Sequence, residues 1–460
     1  MKNRRAHSLL LLIFDAISVF VVFNLAGWLR GIAGPGQWIV TPLIGPMIVV
    51  MIAIYLIDGY RSRTEMMGAD YTSQHVVVLL MALVVTLLLT YVIIPEAFSL
   101  QGSRLVLSAA FVVLAGVTLT YRRSIHRWVK KDQQDRVVLF VGNRAAATGF
   151  IEVCHTNRLE QTVICAVVGE SEETSVESES DDIIRNYREV LNDIKSGAIR
   201  IEAIVLRESG DSLPGTMAQE LTELFFQGVP TYTLELFFET YWRKIPLYRI
   251  NHVWLFQEGF QIARNPVFER TKRAVDILLA GLGLVLFAPL LLLAAIAVKL
   301  EDGGPIFFRQ TRIGRKREPF QVIKLRSMKV DNDSSGVNRY TQDNDPRITR
   351  IGAFLRKTRL DEVPQLMNVI GGEMSLIGPR AEWDKLVNEY EAVIPSYHYR
   401  HLVRPGITGW AQINYPYGGN VEDTLRKLEY DLYYIRHFSF VMDAAIVLRT
   451  VNIMLFGKGK

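Results

Sequence analysis

The sequence predicts an α-helical membrane region joined to α/β structure: four transmembrane helices, a Rossmann-like cytosolic domain, a re-entrant membrane helix hairpin and a mainly helical α+β domain. Three observations carry that reading. Hydrophobic residues make up 49% of the 460 and gather in long blocks. Downstream of the fourth block come short apolar runs bounded by glycine, the pattern of buried parallel strands. A fifth block has a proline near its middle and basic residues on both flanks. The length allows about three folded units at ~150 residues each. A formal charge of +5 is mild, and no nucleic-acid partner is expected.

Four apolar blocks open the chain: Leu9 to Leu29, Trp38 to Ile57, Val76 to Ile94 and Leu105 to Tyr121. Each approaches the ~20 residues that cross a bilayer as a helix, the last being somewhat short. The first is too long for a removable signal peptide and lacks a small-residue cleavage signature. Asp15 and Asn24 are its only strongly polar residues and are expected to make interhelical hydrogen bonds. Lys2, Arg4 and Arg5 precede this block, Arg61 and Arg63 follow the second, and Arg122, Arg123, Arg127, Lys130 and Lys131 follow the fourth. The positive-inside bias therefore puts the N-terminus and everything after Tyr121 in the cytoplasm. This membrane region occupies residues 1–125.

Residues 133–248 read as a small doubly wound domain. VVLFVG, from Val137 to Gly142, is its first strand; TVICAVVGE and EAIVL, from Glu202 to Leu206, supply further strands. The turn GNRAAATG resembles a nucleotide-binding turn but lacks GxGxxG spacing and a ribose-binding acid, so a degenerate structural or regulatory role is expected. Cys154 and Cys165 fit neither a disulfide framework nor a zinc spacing and read as buried thiols. Residues 249–270 form a linker.

The fifth block, within residues 274–300, decides the topology. Arg264, Arg270, Lys272 and Arg273 precede it, and a basic run from Arg309 to Lys329 follows, so both ends belong inside. Pro289 removes a helical hydrogen bond, and a turn at Ala288 and Pro289 lets the helix enter and return. Asp276, one turn beyond Lys272 and Arg273, is read as an interfacial ion-pair partner.

FLRKTRLDEVPQL, Phe354 to Leu366, sets Asp361 and Glu362 behind Arg356, Lys357 and Arg359 and ahead of Pro364. Proline is tolerated in a first helical turn, so the pair sits at or just before a helix N-terminus, where carboxylates and anionic ligands are favoured. An ionised carboxylate among cations suits a divalent metal or attack on phosphorus. The bland alternative is a solvated cap. In VIKLRSM, strand alternation places Lys324 and Arg326 on one face, as a phosphate site requires. Arg380 and Arg404 offer planar donor forks to anions. Two DND triplets, Asp331 to Asp333 and Asp343 to Asp345, lie in polar sequence and are expected in turns.

The order of FRQTRIGRKREPFQVIKLRSM, RITRIGAFLRKTRLDEVPQLMNVIGGEMSLIGPR, RPGITGWAQIN and EYDLYYIRHFSFVMDAAIVLRT resembles the bacterial sugar transferases that load a phosphosugar onto a polyprenyl phosphate, the monotopic phosphoglycosyltransferases. The resemblance covers roughly Thr271 to Val451, and the preceding regions resemble the large polytopic members that initiate exopolysaccharide or O-antigen units. It implies a catalytic domain over residues 271–460, with Asp361 as nucleophile and Glu362 helping to hold Mg2+. It further implies a UDP-sugar donor, UMP release and an undecaprenyl-type polyprenyl phosphate acceptor. Lys324, Arg326, Arg356, Arg380 and Arg404 are expected to offset phosphate charge, Asp431 to support the site or form a structural ion pair, and Trp410 and Gln412 to line the nucleotide pocket, with packing an equal alternative for Trp410. The implied location is the bacterial inner membrane with a cytoplasmic active face, in contact with the bilayer, in a self-associating, dimer-type assembly. Ala288-Pro289 replaces a common Ser-Pro, and GPRA and QINYPYGG depart from the family's usual endings, which leaves the sugar open. Two other readings stand beside it: a metal-dependent glycosyltransferase using a DND triplet and releasing UDP, and a non-catalytic membrane sensor or scaffold.

Overall fold

The computed structural model describes residues 2–31, 37–61, 64–90, 104–133, 136–159, 161–167, 183–207, 215–247, 266–329, 345–394, 396–416, 418 and 420–456. They form two compact units, Met1–Trp242 and Arg243–Lys460.

The first unit opens with α1 (Lys2–Leu29), α2 (Ile44–Leu56), α3 (Ala69–Leu88) and α4 (Arg104–Gln133). Among the described residues, Ala6–Leu29, Ala69–Leu88, Val106–Val129 and, in the second unit, Pro266–Asp302 are long and apolar enough to cross a bilayer. The second apolar block departs from expectation, since α2 has only 13 residues. Pro42 sits in the first turn of this helical run, where a missing N–H is tolerated, within a 3-10 turn, Thr41–Leu43, that leads directly into α2. At the other end Asp58 takes φ 61°, and the Gly59 N–H bonds back to the Ile54 carbonyl. The fourth helix, by contrast, outruns its block, because no glycine or proline interrupts the basic run after Tyr121.

Polar side chains tie this bundle together, Asp15 between helices as anticipated and Asn24 instead to the irregular stretch before α2. Asp15 is fully buried and accepts from Arg122, from Tyr121 and, at 2.6 Å, from the Tyr60 hydroxyl. Asn24 holds the backbone of Ile39 through both its amide oxygen and nitrogen. A buried Asp–Arg pair is costly to form, but removing either partner strands a charge, so it fixes how α1 and α4 meet.

The αβ part contains β1 (Arg136–Gly142), α5 (Arg144–Thr156), β2 (Thr162–Val167), β3 (Ile184–Asn186), α6 (Tyr187–Lys195), β4 (Arg200–Leu206), α7 (Gly215–Phe226), β5 (Thr231–Thr233) and α8 (Leu234–Tyr241). Its five strands pair in parallel in the order β3-β2-β1-β4-β5. Alternate β1 residues face opposite ways: Val138 and Phe140 pack with Phe150 and Phe237, while Leu139 and Val141 pack with Val190 and Leu221. In the GNRAAATG turn, Asn143 caps α5 by accepting the Ala146 N–H at 3.0 Å. Cys154 and Cys165 are buried free thiols, and burial pushes both up to about 12. The polar acidic loop that the sequence suggests around Glu170 to Asp182 lies outside the described residues.

The second unit begins inside the segment assigned above to the αβ domain. Ile245 is buried in its core and Lys244 pairs with Glu429 at 3.0 Å. Its elements are α9 (Pro266–Asp302), β6 (Phe307–Ile313), β7 (Pro319–Leu325), α10 (Arg350–Thr358), α11 (Gln365–Gly371), β8 (Ser375–Ile377), α12 (Asp384–Val393), β9 (Gly406–Thr408), α13 (Trp410–Asn414), α14 (Val421–Arg436) and α15 (Phe440–Phe456). β6 and β7 form an antiparallel hairpin, and β8 pairs in parallel with β9.

Helix α9 continues through Pro289. Both of its arms pack on the same unit: Ala280 against Phe320, Val322 and Val369, and Ala294 and Val298 against Leu325 and Leu355. Between the arms Leu282, Val285, Leu286, Leu292 and Leu293 are each 63–74% exposed, an apolar surface suited to lipid. Asp276 lies 3.8 Å from Lys272, yet its closest partners are the Ser375 hydroxyl at 2.8 Å and the Leu376 N–H at 3.3 Å, so it fastens α9 to β8. The RPGITGW segment needs its glycines. A Cβ on Gly406 would stand 2.1 Å from the Gly378 nitrogen.

Candidate active site

Helix α10 starts at Thr349, whose hydroxyl accepts the Gly352 N–H at 2.9 Å, and it packs so closely that a Cβ on Gly352 would meet the Ser327 carbonyl oxygen at 2.0 Å. It ends at Arg359, which takes the left-handed conformation at φ 59° and reverses the chain into a single 3-10 turn, Leu360–Glu362. Pro364 then leads into α11. Asp361 and Glu362 thus stand just before a helix start, as the proline spacing predicts. The short α11 is pinned to the hairpin by the buried Asn368, which accepts the Ile323 N–H at 3.0 Å and donates to the Gln321 carbonyl at 2.7 Å. Asn368 went unrecognised in the sequence, where nothing marks an asparagine between apolar helix residues as a cross-strand tie.

That pinning brings β7 against the carboxylates. Lys324 Nζ donates to Glu362 Oε1 at 2.7 Å, Arg380 lies 3.6 Å from the same oxygen, and Arg359 lies 4.0 Å from Oε2. Burial alone would raise the Glu362 carboxyl, but Arg380, Lys324 and Arg359 hold it down at about 2. Asp361 goes the other way. Burial and then the Glu362 charge push it above its ordinary value, against the opposing pull of Lys324, Arg356 and Arg359. Its Oδ1 is buried without a hydrogen-bond partner. Burial also depresses the Lys324 ammonium, and the Arg380 guanidinium adds to this against the attraction of Glu362. The adjoining cleft, about 270 Å3, is lined by Arg312, Lys324, Gln365, Arg380 and Gly406 among others.

The remaining expected site residues separate. Arg326 follows the last residue of β7, so strand alternation no longer holds it beside Lys324; it is buried and bound to Asp302 at the end of α9. Arg356 acts on Asp361 through space, from α10. Arg404 donates to the Gly372 carbonyl at 2.9 Å and to Glu269 at 3.0 Å, in a different cleft. Asp431 takes the structural alternative, a buried pair with Arg400 at 2.9 Å, and burial lifts its carboxyl to about 6 against the pull of Arg400. Trp410 is buried, donates to the Arg243 carbonyl and stacks on Tyr433, in line with its packing alternative, while Gln412 donates to the Ile407 carbonyl. Of the DND triplets only Asp345 is described, bound to Arg347. Asp331 to Asp333 and Asp343 lie outside the described residues.

Residues 267–457 match the family model described as bacterial sugar transferase. The chain is 45% identical to the exopolysaccharide production protein PSS of Rhizobium leguminosarum bv. phaseoli, over 41% of this chain and 97% of that protein. It belongs to the bacterial sugar transferase family. Family likeness also extends to longer proteins. The chain is 40% identical to a UDP-N-acetylgalactosamine-undecaprenyl-phosphate N-acetylgalactosaminephosphotransferase of Aeromonas hydrophila, over 57% of this chain and 61% of the relative. It is 50% identical to a UDP-glucose:undecaprenyl-phosphate glucose-1-phosphate transferase of Escherichia coli K12, over 39% of each. The chain therefore spans 61% and 39% of these two relatives' lengths. The family-matched stretch holds the dyad, Lys324, Arg380 and all of α9 beyond Pro266.

The opposed shifts of the dyad give a direct test. Replacing Glu362 by Gln removes the like charge that raises Asp361 and releases Lys324 and Arg380 to act on it. The Asp361 carboxyl should then titrate at lower pH than in the parent protein. Infrared titration of the metal-free protein, using the protonated-carboxyl band that disappears in Asp361→Asn, reads this midpoint. An unmoved or raised midpoint contradicts the arrangement.

Proposed function

We propose that this chain transfers a sugar-1-phosphate from a UDP-sugar to a polyprenyl phosphate of the undecaprenyl type, with UMP as the other product. The observation that carries the proposal is the dyad: Asp361, with a buried unpartnered oxygen, beside Glu362, held ionised by Lys324 and Arg380. The names of the relatives supply the donor and acceptor classes.

In the first step an Asp361 oxygen forms a bond to the β-phosphorus of the donor. The bond from that phosphorus to the bridging oxygen breaks, and UMP leaves with the electron pair. In the second, an oxygen of the polyprenyl phosphate attacks the same phosphorus and the Asp361 carboxylate departs, giving a polyprenyl diphosphate sugar. Ionised Asp361 is the attacking form, so the cations that oppose its upward shift also favour the reaction. Lys324, Arg380 and Arg312 line the cleft where phosphate charge must be offset as the nucleophile approaches.

The residues fit Mg2+. That ion is commonly held by one or two carboxylates completed by water and substrate phosphate. Glu362 is ionised and Asp361 Oδ1 has no protein partner. Magnesium held by Glu362 with Asp361 would supply positive charge against the donor diphosphate.

The exposed apolar middle of α9, with both arms on one unit, supports a re-entrant hairpin bent at Ala288 and Pro289. Together with α1, α3 and α4 it would hold the protein in the bacterial inner membrane, with α2 inserting only partway and the catalytic unit on the cytoplasmic face. The parallel sheet of the first unit is consistent with a Rossmann-like domain whose first turn caps a helix. Initiation of exopolysaccharide or O-antigen units, and assembly as a dimer, complete the proposal.

Purified membranes given a UDP-sugar and undecaprenyl phosphate should release UMP, and Asp361→Asn should reduce turnover at least a thousandfold, about 4 kcal/mol of barrier. UDP as product, or undiminished turnover in Asp361→Asn, would overturn the reaction. A tag placed after Lys460 should be reached by membrane-impermeant label only in inverted vesicles; labelling in intact spheroplasts would refute the hairpin.

A further inference from the structure

A second cleft of about 350 Å3 lies in the C-terminal unit and shares no lining residue with the dyad cleft. Its wall carries four cations, Lys272, Arg273, Arg315 and Arg404. Lys272 is satisfied by Asp443 at 2.7 Å. Of the three guanidiniums, two share one carboxylate. Glu269 alone is shared between Arg315, which grips both of its oxygens, and Arg404, at 3.0 Å. Arg273 donates to the Val369 and Ile370 carbonyls, which carry no formal charge. Arg315 Nε is buried with no hydrogen-bond partner. Asp276 also lines the cleft, so its four cations face three carboxylates, Glu269, Asp276 and Asp443; the remaining positive charge, with a guanidinium donor to spare, favours a phosphate group.

The surroundings favour a phosphate that carries acyl chains. Arg273 stands at the foot of the apolar stretch of α9, where Val275, Leu278 and Leu279 are 38%, 69% and 47% exposed. Phe438 lines the cleft, and Phe440 and Val441 beyond it are 39% and 51% exposed. A soluble phosphate has no use for such a rim, whereas a phospholipid uses both parts. We propose that this cleft binds the phosphate of an anionic membrane phospholipid, separately from both substrates of the dyad, and so fixes the foot of α9 at headgroup level. The proposal rests on reading α9 as a membrane element.

The test is native mass spectrometry of the full-length protein titrated with phosphatidylglycerol or phosphatidylcholine. Phosphatidylglycerol should be retained in preference. Arg315→Gln should weaken its retention about fivefold, as expected for one interfacial cation; Arg315→Lys should keep most of it, and Glu269→Gln should strengthen it. Equal retention of the two lipids, or Arg315→Lys and Arg315→Gln falling together, overturns the site. Inorganic phosphate whose affinity follows the same variants, with phosphatidylglycerol retention unchanged, overturns the lipid assignment. Phosphatidylcholine retained by every variant shows that α9 still engages lipid, which separates failure of the cleft from failure of the membrane reading.

Discussion

The contact between Lys324 Nζ and Glu362 Oε1, 2.7 Å from strand to turn, is the constraint on which the rest of the site depends. Both side chains are largely removed from water, 19% and 12% exposed, so neither charge is stable there alone. Breaking such a pair by removing one partner generally costs about 3–5 kcal/mol. Here the geometry exists only because Asn368 pins α11 to β7 and Arg359 turns the chain back on itself. With Glu362 ionised, Asp361 feels both its own burial and a neighbouring negative charge, and the two carboxyls shift apart. Two adjacent residues of similar chemistry thereby become distinct, one a fixed anion and the other a group whose ionisation responds to charge around it.

The long apolar helix α9 bears on the same site. The C-terminal arm of α9 packs on Leu325 and Leu355, the first beside Lys324 and the second in the helix that leads to the dyad. Asp302, at the end of that arm, holds Arg326. The strand and turn that carry the charge pair are therefore braced by the helix whose exposed middle suits lipid. On the proposed function, this places a soluble donor and a lipid acceptor within reach of one pair of carboxylates.

Much of this was legible in the sequence. The proline spacing placed Asp361 and Glu362 ahead of a short helix, and the glycine-bounded apolar runs became the strands β1, β2 and β4. The misreadings have physical causes. Hydropathy counted Trp38 to Ile57 as a span without weighing the left-handed Asp58, just before which its 13-residue helix ends. Alternation paired Lys324 with Arg326, but it has no force past the strand end at Leu325. Arg404 takes Glu269, 135 residues away, as a partner, and Asp431 resolves to its ion-pair alternative with Arg400, 31 residues upstream. Neither separation carries a local signal. Long-range pairing of charges is decided by the packed fold.

On the proposed reaction, Asp361 becomes covalently attached to the phosphosugar. The most direct measurement is to mix the protein with a UDP-sugar and magnesium without lipid acceptor, quench in acid, digest, and locate added mass by peptide sequencing. A hexose-phosphate-sized adduct on Asp361 that disappears on adding polyprenyl phosphate is the predicted result. An unmodified Asp361 peptide from protein that still turns over, or an adduct on another residue, would contradict it.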